Sequence, residues 1–142
     1  MLHAFFAAQN QPTNFYIALI TSAVAPTRAI NTFSELTEIA NGQGYTTGGY
    51  SLTRNTTDFD TMTEDDGANT ATIMIKNVVW TASGGTLPAS GSGASYAVIL
   101  DDNVTIASRE VLAYWSLGGA ISVSSGQSLT LTDLALQATQ SA

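Results

Sequence analysis

Five carboxylates crowd one short stretch of this chain: Asp58, Asp60, Glu64, Asp65 and Asp66. Closely spaced oxygen ligands suit Ca²⁺, and Asp58-Phe-Asp60 is like the opening of a calcium loop. The glycine that should turn such a loop and the glutamate that should close it are misplaced. Asp58 to Gly67 therefore reads as a solvated acidic loop, with Gly67 and Asn69 leading into the next strand. A carboxylate pair also serves glycoside hydrolysis, but nothing else along the chain supports that chemistry. His3 is the only histidine. A Ser–His–Asp triad would need it as base, and a short N-terminal segment is a poor platform for such geometry. No catalytic residue, bound metal or cofactor is expected.

Other groupings are better explained by the backbone. Asp101-Asp-Asn103 suits a tight turn, because Asp and Asn tolerate left-handed backbone and bond to their own turns. Gly42-Gln-Gly44 and Gly48-Gly49 lack the following helix and the Gly-Lys-Ser/Thr of a phosphate loop, so turn geometry accounts for them. Trp80, Trp115, Tyr96 and Tyr114 are the side chains that would line a carbohydrate site. On a strand, adjacent Tyr114 and Trp115 point to opposite faces. One of the two is expected in the core and the other at the surface or an interface, where aromatic anchors are enriched.

The elements that must position these groups are mostly strands. Phe15-Tyr-Ile-Ala-Leu-Ile-Thr21 is a compact apolar, β-branched run. Thr32-Phe-Ser-Glu35 matches a capping box and predicts a short helix from Phe33 to Ala40, stopped by Asn41-Gly42. Strands are expected near Tyr50 to Asn55, over Thr70 to Trp80 as one long or two consecutive strands, and over Ser95 to Leu100. Ser83 to Ser95 reads as a surface loop. A return strand is expected at Val104 to Ala107 and another at Arg109 to Leu117. Gly118-Gly119 then turns into Ala120 to Val123. Ser128 to Leu136 follows with a register break, and Gln137 to Ala142 is a loose tail. Turns about every ten residues are the mark of an antiparallel sandwich or barrel. The fold expected is mainly all-β, an antiparallel β-sandwich or jelly-roll-like domain over residues 13–142 with one or two short helices.

Composition narrows the function. The chain has 142 residues, ordinary for one domain, and 44% of them are apolar. Charged residues make up only 11%, against about 25% in typical globular domains. Stable interfaces are depleted of charge at their cores, so the sparse charge points to extensive assembly. A secreted β-protein can share this Thr- and Ser-rich makeup. The net charge is −7, with Arg28, Arg54, Lys76 and Arg109 as the fixed cations. Tight phosphate binding needs several basic contacts, so no nucleic-acid partner is expected. There is no cysteine to form a disulfide or a nucleophilic thiolate. Met1 to Ala8 lacks the basic flank and the length of a signal peptide, and no apolar run approaches the 18 residues of a membrane span. The first segment, Met1 to Asn10, carries an apolar stripe at Leu2, Phe5 and Phe6 and reads as a short helix ended by Asn10 and Pro12. Such a helix is marginal alone, so residues 1–12 are expected to make contacts between chains.

The order of motifs also resembles a known group. Phe15 to Thr21, then Leu36-Thr-Glu-Ile-Ala-Asn-Gly-Gln-Gly-Tyr45, then Val78-Val-Trp80 before a Gly/Ser loop form its first half. Tyr96-Ala-Val-Ile-Leu-Asp101, Leu112-Ala-Tyr-Trp-Ser-Leu-Gly-Gly119 and Ser125-Gly-Gln-Ser-Leu-Thr-Leu131 complete it. This succession resembles the structural proteins of tailed bacteriophages, especially capsid cement (decoration) proteins. The resemblance implies a non-enzymatic β-sandwich, self-associating as a homotrimer, on the exterior of the phage head. It would bind the major capsid protein or another virion protein across capsomer boundaries. The other placement it implies is a tail, baseplate or fibre component with an adaptor or host-glycan role. It carries no catalytic residues. Leu2, Phe5, Phe6 and Trp115 are the interface residues expected.

Overall fold

A computed structural model describes residues 12–54 and 56–139. The expected inter-chain segment, with Leu2, Phe5 and Phe6, therefore lies outside the described residues except for Pro12. Nine strands are formed among the described residues: β1 (Asn14–Ile20), β2 (Tyr50–Thr53), β3 (Phe59–Asp65), β4 (Thr70–Ile75), β5 (Val78–Thr81), β6 (Ala94–Leu100), β7 (Val111–Ile121), β8 (Ser128–Leu131) and β9 (Leu134–Thr139). Helical structure among the described residues is limited to two single 3-10 turns, Phe33–Glu35 and Ile106–Ser108. Every strand pairing is antiparallel. The strand order is β2-β1-β6-β7 in one sheet, β3-β4-β9 in a second and β5-β8 in a third. The fold is mainly antiparallel β and sandwich-like, as its sequence leads one to expect.

The middle strands explain the layering. β1 and β6 are apolar at consecutive positions, not alternate ones, because both faces of their sheet are covered. Ile17, Leu19, Ala97 and Ile99 face inward and join Phe59, Ile75, Val78, Trp80, Leu129, Leu131 and Leu134 from the other two sheets. Ala18, Ile20, Val98 and Leu100 face the other way and meet Phe33, with Leu36 and Ile106 packed alongside. The outer cover thus comes from connecting segments and not from a further sheet. Each large side chain so buried contributes about 1.5–3 kcal/mol in gross terms. β5 and β8 alternate cleanly, burying Val78 and Trp80 opposite Leu131 and Leu129.

Several local expectations need correction. The helix expected over Phe33 to Ala40 stops after one 3-10 turn. β1 outruns the four-residue β2, and residues 37–39 take the vacated edge. Thr21 N donates to Thr37 O (2.9 Å) and Ile39 N to Leu19 O (3.0 Å). The acidic stretch expected as a loop contains β3, which among the described strands pairs only with β4. An outermost strand tolerates carboxylates, which also deter pairing with other chains. Val104 to Ala107 forms no return strand. Asp101 Oδ1 accepts from Asn103 N (3.3 Å) and Glu110 N (2.9 Å), which closes this loop without a hairpin.

The two glycines at 118–119 do not reverse the chain. β7 runs through them, and the register moves from Tyr96↔Ser116 to Ala94↔Ile121, so residues 117–120 arch out as a bulge. Gly118 at φ 81° permits the arch. The register break expected within Ser128 to Leu136 is a change of sheet: β8 pairs with β5 and β9 with β4, with Asp133 at φ 56° making the turn. The 83–95 connection is less superficial than expected, because Leu87 is fully buried and bridges Val123. The tail is likewise ordered further than expected, since β9 extends to Thr139.

Candidate functional site

The best-built polar cluster lies where connecting segments close over the outer face of β1. Arg109, 6% exposed, is its centre. Its Nη1 donates to Gly48 O (3.0 Å) and its Nε to Asn103 O (3.2 Å). Its guanidinium carbon lies 3.5 Å from the centroid of the Tyr16 ring, a cation–π contact. Glu38 completes the cluster, accepting from Gly48 N and from Tyr45 Oη, both at 2.7 Å. Tyr45 Oη in turn accepts from Leu19 N (3.0 Å). Gly48 is thus held on both sides, its N–H by a carboxylate and its carbonyl by a guanidinium. The cluster pins the 38–49 and 103–109 segments to β1.

Electrostatics in the cluster follow burial. Removal from water raises the Glu38 carboxyl above the usual carboxylate value, against the hydrogen bonds from Tyr45 and Gly48 and the charge of Arg109. Burial, with the Glu38 charge second, pushes the Tyr45 phenol well up, so Tyr45 stays protonated. The phenol held protonated and the carboxylate bonded by two donors together fix the 38–49 segment.

Glu35 behaves oppositely. Its Oε1 accepts from Thr32 N (2.8 Å) and Asn31 N (2.9 Å), the reach-back half of the predicted capping box. Those backbone bonds, Thr32 first, lower its carboxyl below the ordinary 4.5. The two glutamates should therefore give opposite pH dependence. A raised folded pKa means that ionising Glu38 costs stability, and this cost vanishes as pH falls through its raised value toward 4.5. A lowered pKa means that Glu35 contributes stability above 4.5, which is lost as pH falls through its lowered value. The melting-temperature difference between wild type and Glu38→Gln should rise on acidification from neutral pH to 4.5. That between wild type and Glu35→Gln should fall below 4.5. Slopes of the same sign would contradict this assignment.

The chemistry-bearing residues of the sequence are scattered. β3 spreads its carboxylates along an edge, where Asp58 Oδ2 accepts from Thr53 N (2.7 Å) and Asp65 Oδ1 from Ala68 N (3.0 Å). Among the described residues no three of Asp, Glu and His gather as a metal site. An open depression lies by Asp60, Lys76 and Asp133. Trp80 is buried, with ring centroids 6.0 Å from Tyr45 and 6.4 Å from Tyr50. The four aromatics therefore do not assemble into one platform. Tyr114 is exposed and Trp115 half-buried on the opposite face, packed against the core.

Trp115 belongs to a second candidate, the outer edge of β7. β7 is outermost in its sheet. Residues 31–33 cover the start of its edge: Val111 N donates to Asn31 O (3.0 Å) and Phe33 N to Arg109 O (2.9 Å). The bulge at 117–120 disrupts the far end. Between them, no strand among the described residues pairs with Leu112 to Ser116 on that side. Leu112, Trp115 and Leu117 of this strand are half-buried and pack against the core. Sequence reasoning singled out Trp115, which packs half-buried against the core, and missed Arg109, Glu38 and Tyr16, whose contacts join segments far apart in the chain. The one local signal was an arginine placed before a strand in a chain with very few charges.

No known protein family, curated protein or solved structure matches the chain.

Proposed function

We propose that this protein is a non-enzymatic structural component of a bacteriophage particle: a cement protein that self-associates as a trimer and binds the head across capsomer boundaries. The observation that carries this reading is the absence of charge from Val111 to Thr132. That stretch forms β7, the outermost strand with the open window, and β8. A freely soluble monomer normally guards such an edge with charge, as β3 does. An uncharged edge lined by Trp115 suits burial against protein, and burial at many copies stabilises a shell relative to its separated parts. The resemblance in motif order supports the same reading. Contacts between chains are assigned to residues 1–12, with Leu2, Phe5 and Phe6, and to Trp115.

The test is co-sedimentation of the full-length protein with phage heads that lack it. Saturable binding that raises the temperature at which heads release DNA is expected. A buried interfacial Trp typically costs 2 kcal/mol or more when truncated, so Trp115→Ala should weaken binding by about tenfold or more. Protein that stays in the supernatant at all concentrations would contradict the reading.

A further inference from the structure

We propose that the open window of β7 is the seat for the first residues of a neighbouring copy, which add to it as an extra strand. The inference deepens the self-association proposed above and rests on it. At Leu112 to Ser116 the window offers an edge that no strand among the described residues pairs, on a strand whose Leu112, Trp115 and Leu117 are half-buried. Its occupant should be apolar, free of charged side chains and extended once bound. Residues 1–11 meet the first two conditions, with Leu2, Phe5 and Phe6 and no Asp, Glu, Lys or Arg, and the short helix their sequence favours is marginal alone, so it yields to strand pairing on the window.

The place where this segment leaves the domain selects a neighbour as its destination. Asp102 Oδ2 accepts from Thr13 N (2.7 Å) and Asn14 N (3.3 Å), which fixes the exit at the start of β1. The pairings Tyr16↔Leu100 and Leu100↔Val111 put that exit at the same end of the sheet as the start of β7. To fill its own window the segment would pass β6 and β7, three interstrand steps or about 14 Å. Residues 31–33 occupy the position beside β7 that it would enter first, and going around them costs roughly another 10 Å, one layer thickness. Covering Leu112 to Leu117 takes about 20 Å more at the rise of a strand. Those lengths together come to about 44 Å, as much as the about 40–43 Å that twelve fully extended residues span, so the chain's own segment has no slack with which to cover its whole window. A segment from a second copy is not tethered at that exit and so is free of this length limit. Its contact is head-to-tail, and head-to-tail contacts close into rings when the rotation permits.

The chain has no cysteine, so single-cysteine variants report proximity cleanly. Two full-length variants, Ala4→Cys and Ser116→Cys, are mixed, oxidised and run on a non-reducing gel. Ser116 is exposed, and exposed Tyr114→Cys serves as a second acceptor should the first fold poorly. The reference partner is Thr63→Cys, exposed on the acidic outer strand β3. The expected result is a mixed disulfide between Ala4→Cys and a β7 variant, at least tenfold above the Thr63→Cys pairing. Yields at or below the reference overturn the proposal. So does a fast-migrating monomer from the double variant Ala4→Cys/Ser116→Cys at high dilution, which would make the chain's own segment the occupant. Failure of the disulfide with head binding intact refutes this seat alone; a disulfide without head binding refutes the head-binding reading and leaves the seat.

Discussion

Replacing Arg109 with alanine should lower the stability of the fold by about 3–5 kcal/mol, because two hydrogen bonds from a charged donor are lost at about 1.5–3 kcal/mol each. Arg109 is 6% exposed, and its loss would strip two backbone carbonyls, Gly48 O and Asn103 O, of their donor. It would also remove the cation from the Tyr16 ring and leave half-buried Glu38 without the nearby positive charge. With a total stability of about 5–15 kcal/mol, such a loss is a large fraction. For a domain of this size it corresponds to a fall in Tm of about 10 °C or more. Arg109→Lys should fall between, because an ammonium keeps the charge but lacks the planar fork that bonds and stacks together. Exposed Arg28→Ala is the comparison, expected within about 0.5 kcal/mol of wild type. Thermal melts of the three variants decide it. Equal effects for Arg109→Ala and Arg28→Ala would show that the cluster does not hold the loops.

Gly49→Ala should be worse still, costing more than about 4 kcal/mol or preventing folding. Gly49 has φ 84°, and a Cβ there would lie 2.6 Å from Ile17 C and 2.8 Å from Ala18 Cα, with Ile17 O in direct collision. These are backbone atoms of β1, whose Ile17 to Ile20 are fully buried, so nothing there can swing aside. Gly126 provides a matched control: its φ is 85°, and a Cβ would meet nothing within 4 Å. Gly126→Ala should cost only the left-handed backbone penalty of about 1–2 kcal/mol. Since the two glycines share the same positive φ, the difference between the variants chiefly reports the close approach at Gly49. Similar stabilities, measured by chemical denaturation, would mean that the turn before β2 can move away from β1.

What could be read in advance follows a physical division. Strands buried on both faces, β1 and β6, announce themselves as continuous apolar runs, and β5 and β8 by alternation. β3 could not be seen this way. Its exposed positions carry Thr, Asp and Glu, and its strand state comes from pairing with β4 rather than from its own preference. The Thr32–Glu35 signal was sound as a turn, but the residues after it were captured by the edge of β1, a long-range competition that local pattern does not encode. Gly118-Gly119 carried a true signal of irregular backbone, and only the partner strand decides between a turn and a bulge. In the candidate sites, the division of Tyr114 and Trp115 between an exposed and a core-packed face was legible because adjacent aromatics on a strand must point to opposite sides. Arg109 was not, because its partners Gly48 and Tyr16 are brought to it only by the closed fold.

Counting copies in purified particles tests the central proposal most directly. A quantitative gel of intact virions, calibrated with the purified 14.8 kDa chain, gives that number. A head cement protein should be present in hundreds of copies per particle, in a multiple of three and in fixed ratio to the major capsid protein. A few to a few dozen copies would place it in the tail instead. Its absence from washed particles would contradict a role in the virion altogether.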